Sequence, residues 1–214
     1  ITPLETDADL VGSEPWKFTY RRQGGFIERY SALIGANDPY AFLSGSYDRY
    51  SYLTRRWTDL DIPTLDQGNY LKITLTPGKP LPTIGANGTV FRTDFLTSAN
   101  YGDYLFDIDI LSTYLNSRHH PLYFAKVKNG IIHTFCENSP AKFYRKQLRR
   151  LTDYYHYLPQ RKFNWDEVNR RSQLRFVLYS VSFLPGLIDA CLGFINKPDP
   201  AWFFHPFACL ITLY

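Results

Sequence analysis

With 214 residues the chain is long enough for one sizeable domain, or for one domain and an attachment. Aromatic residues make up 17%, as 17 Tyr, 16 Phe and 4 Trp, which suits carbohydrate stacking, a membrane–water boundary or an aromatic core. The formal net charge of +4 is mild, and without a helix-turn-helix, zinc-finger or RNA-binding signature it sets nucleic acid aside as a partner. Three scattered cysteines, Cys136, Cys191 and Cys209, argue against a disulfide framework and fit a reducing compartment.

In chain order, residues 1–34 read as mixed strand and helix. "DLVGSEPWKFTYRR" alternates apolar and polar residues and predicts a half-buried strand. "GGFIERYSALIG" has helical spacing, started by glycines and stopped by Gly35. The Tyr-rich segment from Asn37 to Trp57 opens on a turn signal, Asn37-Asp38-Pro39, and could form a helix along a cleft. Tyr70 to Leu75 predicts a strand, and "TIGANGTVFRTDFL" a turn leading into a strand or helix start. "YLFDIDILSTYLNS" reads as a helix. "PLYFAKVKNGIIHTF" reads as two short strands around an Asn129-Gly130 hairpin turn. Strands and helices alternating in this way argue an α/β fold.

Beyond Ser139 the pattern turns helical. "LRFVLYSVSFLPGLIDACLGFI" is long and apolar but holds Pro185 and Asp189, so it suits an interfacial or re-entrant helix better than a spanning one. "AWFFHPFACLITLY" begins a second apolar segment, too short as it stands to cross a bilayer at about 1.5 Å per residue and expected to form a transmembrane helix if the chain continues past Tyr214. These readings divide the chain into 1–160 and a membrane-associated segment, 161–214. The lack of Met and the apolar C-terminus lead to the expectation that both ends are truncated. Burial of the apolar pair in a soluble protein is the competing reading.

Several groups could carry chemistry. Asp107 and Asp109 do not share a helical face, so one carboxylate can act as general base while the other orients a partner; alternatively both are helix N-terminal acids favoured by the dipole. Gly85, Ala86, Asn87 and Gly88 form a turn that lets backbone approach a ligand. His133 ends an apolar strand, where a structural histidine is the commoner finding. Arg145, Lys146, Arg149 and Arg150 supply charge for phosphate or anionic lipid, or form a solvated face.

The order of these features is more specific than any of them alone. A Gly-Ala-Asn-Gly turn precedes an acidic pair, a strand ending in His, a Gln-x-x-Arg cluster and apolar helices. From Glu5 to Arg150, and best from Pro82 onward, this resembles glycosyltransferase family 2, whose members have the nucleotide-diphospho-sugar transferase (GT-A) fold. The resemblance implies a C-terminal, acceptor-side part of a GT-A domain followed by membrane-associated helices. It implies an inverting transferase that moves a sugar from a nucleotide-diphosphate donor to a lipid-linked or polysaccharide acceptor hydroxyl. The membrane location would place the catalytic part on the cytoplasmic side.

By resemblance, Asp107 takes the place of the catalytic base, with Asp109 as the second candidate; Phe106 stands where the family has its first acid. Gly85, Ala86, Asn87 and Gly88 would lie at the sugar-binding floor. His133 would join the site of a divalent cation, Mg or Mn. Gln147 and Arg150 match a Gln-x-x-Arg pair, with Leu151 where processive members carry Trp, and Arg145, Lys146, Arg149 and Arg150 would meet the diphosphate or a lipid phosphate. Asp7-Ala8-Asp9 has the letters of the family's Asp-x-Asp but not its preceding apolar strand, which places the donor-binding half before Ile1. A non-catalytic, membrane-anchored carbohydrate- or partner-binding module is the alternative. A glycoside hydrolase is a poor third reading, because its acids flank the scissile bond about 5–10 Å apart.

Overall fold

The structure, a computed structural model, describes residues 2–85, 87–98, 107–160 and 170–214. It is a mixed α/β fold. Among the described residues the elements are helix α1 (Thr2–Thr6), strand β1 (Leu10–Phe18), helices α2 (Phe26–Ile34) and α3 (Pro39–Leu43), strands β2 (Thr64–Asp66), β3 (Tyr70–Leu75) and β4 (Val90–Phe91), helices α4 (Thr93–Ser98) and α5 (Asp107–Arg118), strand β5 (Leu122–Ile131), and helices α6 (Pro140–Tyr157), α7 (Arg170–Ser182), α8 (Leu184–Asn196) and α9 (His205–Leu213).

The strands form one five-stranded sheet in the order β2-β3-β5-β1-β4. β1 and β5 run parallel at its centre, and the other pairings are antiparallel. Central placement explains why β1 lacks the clean alternation expected of a half-buried strand. Leu10, Gly12, Ser13, Glu14 and Phe18 are all buried, as in strands covered on both faces.

The expected hairpin at Asn129-Gly130 does not form. β5 runs without a break from Leu122 to Ile131, with Gly130 paired to Lys17 of β1. The glycine answers a packing need instead: a Cβ there would press on the side chain of Thr19. The long helix considered for 37–57 is also confined to α3, with Asp38 Oδ1 accepting the Tyr40 N–H at 2.8 Å as N-cap. α2 ends as the sequence predicts, with Gly35 left-handed at φ 74°. Asp7, just after α1, pairs with Lys72 at 2.8 Å.

Two apolar clusters flank the sheet. One joins Ile73, Leu75 and Phe124 of the strands to Leu111 and Leu115 of α5. The other joins Ile27, Tyr30, Leu33 and Ile34 of α2 to Trp202, Phe204 and Ala208, so the C-terminal segment shares a core with the front of the chain. Tyr20 Oη and Arg29 Nε hold Asp199 at 2.6 and 2.9 Å in the same region. Apolar side chains remain exposed on the outer faces, including Leu174, Leu178 and Val181 of α7 and Ile188, Leu192 and Ile195 of α8. No single helix among the described residues is long and apolar enough to cross a membrane. α7 and α8 together match a span in length and composition but bend by 83°.

Candidate functional site

Four distant parts of the sequence meet around Asn37. Gly35 ends α2 so tightly that a Cβ there would lie 2.7 Å from the Tyr50 carbonyl oxygen, which draws Ala36 to Asp38 against the loop after α3. The Asn37 carbonyl then accepts Gln147 Nε2 at 3.0 Å and Arg150 Nη1 at 3.0 Å, both from α6. Its side-chain Nδ2 lies 3.2 Å from His133 Nε2. Asn37 Oδ1 is buried with no partner among the described residues. In either orientation of the amide, one polar end is left over.

Asn37 borders a cavity of about 230 Å³ whose walls include Phe18, Asp48, Arg49, Thr83, Gly85, Asn87 and Arg150. Beneath it lies a cluster of buried charges. Glu14 of β1 holds Arg49 Nη1 at 2.5 Å through one oxygen and Lys126 Nζ of β5 at 2.5 Å through the other. Arg49 also pairs with the Asp48 carboxylate, and Lys126 reaches the Asp48 carbonyl. The cluster fixes the glycine turn above it. Arg49 Nη2 donates to the Asn87 carbonyl at 3.1 Å, and Thr89 Oγ1 to Glu14 Oε2 at 3.2 Å. Two acids and two bases leave the cluster formally neutral, and burial then costs least when every ion is paired.

The electrostatics follow from burial. Desolvation pushes the Asp48 carboxyl up to about 6, with Glu14 adding to the rise and Arg49 and Lys126 opposing it. Desolvation lowers Lys126, against the pull of Glu14. His133 stacks between Phe18 and Phe135 at ring distances of 5.0 and 5.6 Å. Burial, with Lys146 and Arg150 adding to it, pushes His133 down to about 4. Its ring is therefore neutral at physiological pH.

A second cavity, of about 370 Å³, opens on the other side of α6 and is lined by Lys142, Arg145, Lys146 and Arg149 together with Thr134, Cys136 and Glu137. The basic cluster is thus divided. Arg150 and Gln147 face Asn37, while Arg145, Lys146 and Arg149 face the second cavity. Lys146 lies over the Phe135 ring at 4.5 Å, a cation–π arrangement.

Gly85, Asn87 and Arg150 therefore line the first cavity, and His133 and Gln147 reach its edge through Asn37. Gly88 is left-handed at φ 79° beside them, and Ala86 lies outside the described residues. Asp109 is buried in the first turns of α5, among Ile108, Ile110 and Leu111, and lines neither cavity. Asp107 is the first residue of α5; its side chain lies outside the described residues. No group of three or more His, Cys, Asp or Glu able to hold a metal occurs among the described residues.

Sequence reasoning missed Asn37, Glu14, Asp48, Arg49 and Lys126. A signal existed for two of them. Lys126 interrupts the apolar run from Leu122 to Val127, and Glu14 falls inside a strand pattern; a charge in a buried strand needs a partner.

Comparison with known proteins yields no match: no family model, no curated protein and no solved structure is significantly similar to this chain.

Proposed function

We propose that the chain belongs to an inverting, GT-A-type glycosyltransferase of family 2. It would move a sugar from a nucleotide-diphosphate donor to a lipid-linked or polysaccharide acceptor hydroxyl at a cytoplasmic membrane face. One observation carries the reading: Gly85 and Asn87 of the glycine turn line one polar cavity with Asn37 and Arg150, and His133 and Gln147 bond to Asn37, although these residues stand tens of positions apart. Core packing does not require this convergence, whereas a sugar site does.

In this reading Gly85 and Asn87 floor the sugar site. Arg150 and the wall of Arg145, Lys146 and Arg149 offset phosphate charge. Asp107, or failing it Asp109, takes the proton of the attacking hydroxyl. A divalent cation, Mg or Mn, would neutralise the leaving diphosphate. His133 offers a neutral imidazole, but the described residues gather no set of ligands around it, so no step is assigned to the cation. The exposed apolar faces of α7 and α8 suit the plane of a membrane interface.

Sugar transfer from labelled nucleotide-diphosphate sugars to membrane acceptors is the test. Asp107→Asn should lower transfer at least about a hundredfold, the usual reach of a general base, with the fold intact. If Asp107→Asn retains full turnover and Asp109→Asn abolishes it, the base is Asp109. Full turnover in both would end the transferase chemistry proposed here.

Gly85 separates a ligand role from a folding role. A Cβ there meets only the Thr83 carbonyl, at 3.7 Å, and Gly85 is not left-handed. Gly85→Ala should therefore fold with a stability change within about 0.5 kcal/mol while lowering turnover about tenfold or more. Unchanged turnover would show that no ligand approaches the turn there.

A membrane-anchored glycan-binding module is the second reading. It is favoured by the burial of Asp109 away from both cavities. Glycan binding without transfer, in the presence of every donor tested, would support it.

A further inference from the structure

Asp48 differs from the charges it sits among. The side chains of Glu14, Arg49 and Lys126 are at most 1% exposed, whereas that of Asp48 is 13% exposed and forms part of the cavity wall. Its Oδ2 is taken by Arg49 Nη1. Across the same space stands the leftover amide end of Asn37, and Arg49 Nε is likewise buried without a partner. Buried polar atoms are normally satisfied, so unsatisfied ones lining a cavity call for water or a ligand. The space of about 230 Å³ equals the liquid volume of roughly eight waters. That is room for one ring-sized polar molecule.

We infer that Asp48 is a specificity-determining carboxylate, which with the side chain of Asn37 reads hydroxyl groups of a single sugar ring held in this cavity. The inference rests on the sugar-site reading given above and adds the residues that select the ring. Asp48 suits the task chemically. An ionised carboxylate has only acceptors and can take two neighbouring hydroxyls, and its orientation is fixed by Arg49, which Glu14 holds in turn. The amide can accept or donate a further bond. Phe18 contributes an apolar part to the wall.

Ionisation sets the pH dependence. The charged groups facing Asp48 are Glu14 from β1, Arg49 from its own loop and Lys126 from β5, while Asp38 and Arg150 line the same cavity. His133, pushed down to about 4, is neutral above pH 5. Since the Asp48 carboxyl is pushed up to about 6, ionisation grows as pH rises through 6. Sugar affinity should climb with it and level off above about pH 7.

The test is saturation-transfer NMR on the detergent-solubilised chain with glucose, galactose, mannose and N-acetylglucosamine as probes. At least one should bind, with the pH profile just described. Asp48→Asn should weaken that sugar about tenfold, the loss of one good hydrogen bond to a charged group, and flatten the profile; it also lowers the melting temperature, because Glu14 alone then offsets Arg49 and Lys126. Asn37→Ala keeps the backbone carbonyl that Gln147 and Arg150 use, and should weaken the same sugar even if Asp48→Asn folds poorly. Failure of every sugar to bind, or an Asp48→Asn variant with unaltered affinity and pH profile, overturns the inference. Absence of sugar transfer with this binding intact would instead strike the transferase reading alone.

Discussion

Replacing Glu14 with Ala is expected to cost about 3–5 kcal/mol of folding stability, the range for removing one partner of a buried ion pair. Glu14 neutralises Arg49 and Lys126 at once, each at 2.5 Å and each at most 1% exposed. Without it two cations remain in the interior with only Asp48 beside them. Lys126 can shed its proton, a change that burial already favours, whereas Arg49 cannot. For a chain of this size each kcal/mol moves the melting temperature by about 2–4 °C, so the expected drop is roughly 6–20 °C. Restoring neutrality should recover part of it: Glu14→Ala with Lys126→Met removes one acid and one base and should melt above Glu14→Ala alone. Thermal and urea unfolding of the two variants measure both effects. A loss below about 1 kcal/mol in Glu14→Ala would mean that these charges are hydrated rather than buried together.

The same cluster shows where reading from sequence stops. α2 was legible because apolar spacing and Gly35 are local signals, and β3 because six residues alternate between two turn-rich stretches. The sequence order pointed to Gly85, Asn87 and Arg150 together, and these three do line one cavity. Asn37 was not legible, because it contributes a carbonyl and an amide, groups that any residue or any Asn could supply, and its role exists only once α6 lies against the end of α2. Asp48 and Arg49 read as ordinary charges in a Tyr-rich loop; their burial depends on β1 and β5 lying side by side, a pairing across more than a hundred positions. The hairpin expected at Asn129-Gly130 failed for a related reason. A turn dipeptide reports what the chain can do locally, and a parallel neighbour, β1, extended the strand through it. Asp109 shows the opposite limit: its place near the start of a helix follows from the sequence, but its burial away from both cavities does not.

Gly25→Ala should be nearly as damaging, through backbone contact rather than charge. Gly25 precedes α2, and a Cβ on it would stand 2.5 Å from the Glu137 carbonyl oxygen and 2.6 Å from its Cα. No rotamer change relieves contact with backbone. The opposing segment is also constrained: Cys136 and Glu137 are left-handed at φ 56° and 49°, a conformation uncommon outside glycine. It is held there because the Glu137 carbonyl accepts the Ile27 and Glu28 N–H groups at 2.8 and 3.2 Å, serving as the N-terminal cap that α2 lacks in its own sequence. An added methyl must push the two segments apart and break those bonds, which puts the cost at about 3 kcal/mol, the upper end for overpacking. The consequence reaches the cavity, because α2 leads to Asn37 and the 135–139 segment joins His133 to α6. Separating them should loosen the Asn37 contacts with His133, Gln147 and Arg150. Chemical unfolding gives the stability change, and the ring signals of His133 report the displacement, since that ring lies 5.0 Å from Phe18 and 5.6 Å from Phe135. A Gly25→Ala variant within about 0.5 kcal/mol of the parent, with unshifted His133 signals, would show that α2 and the 135–139 segment are not in this close register.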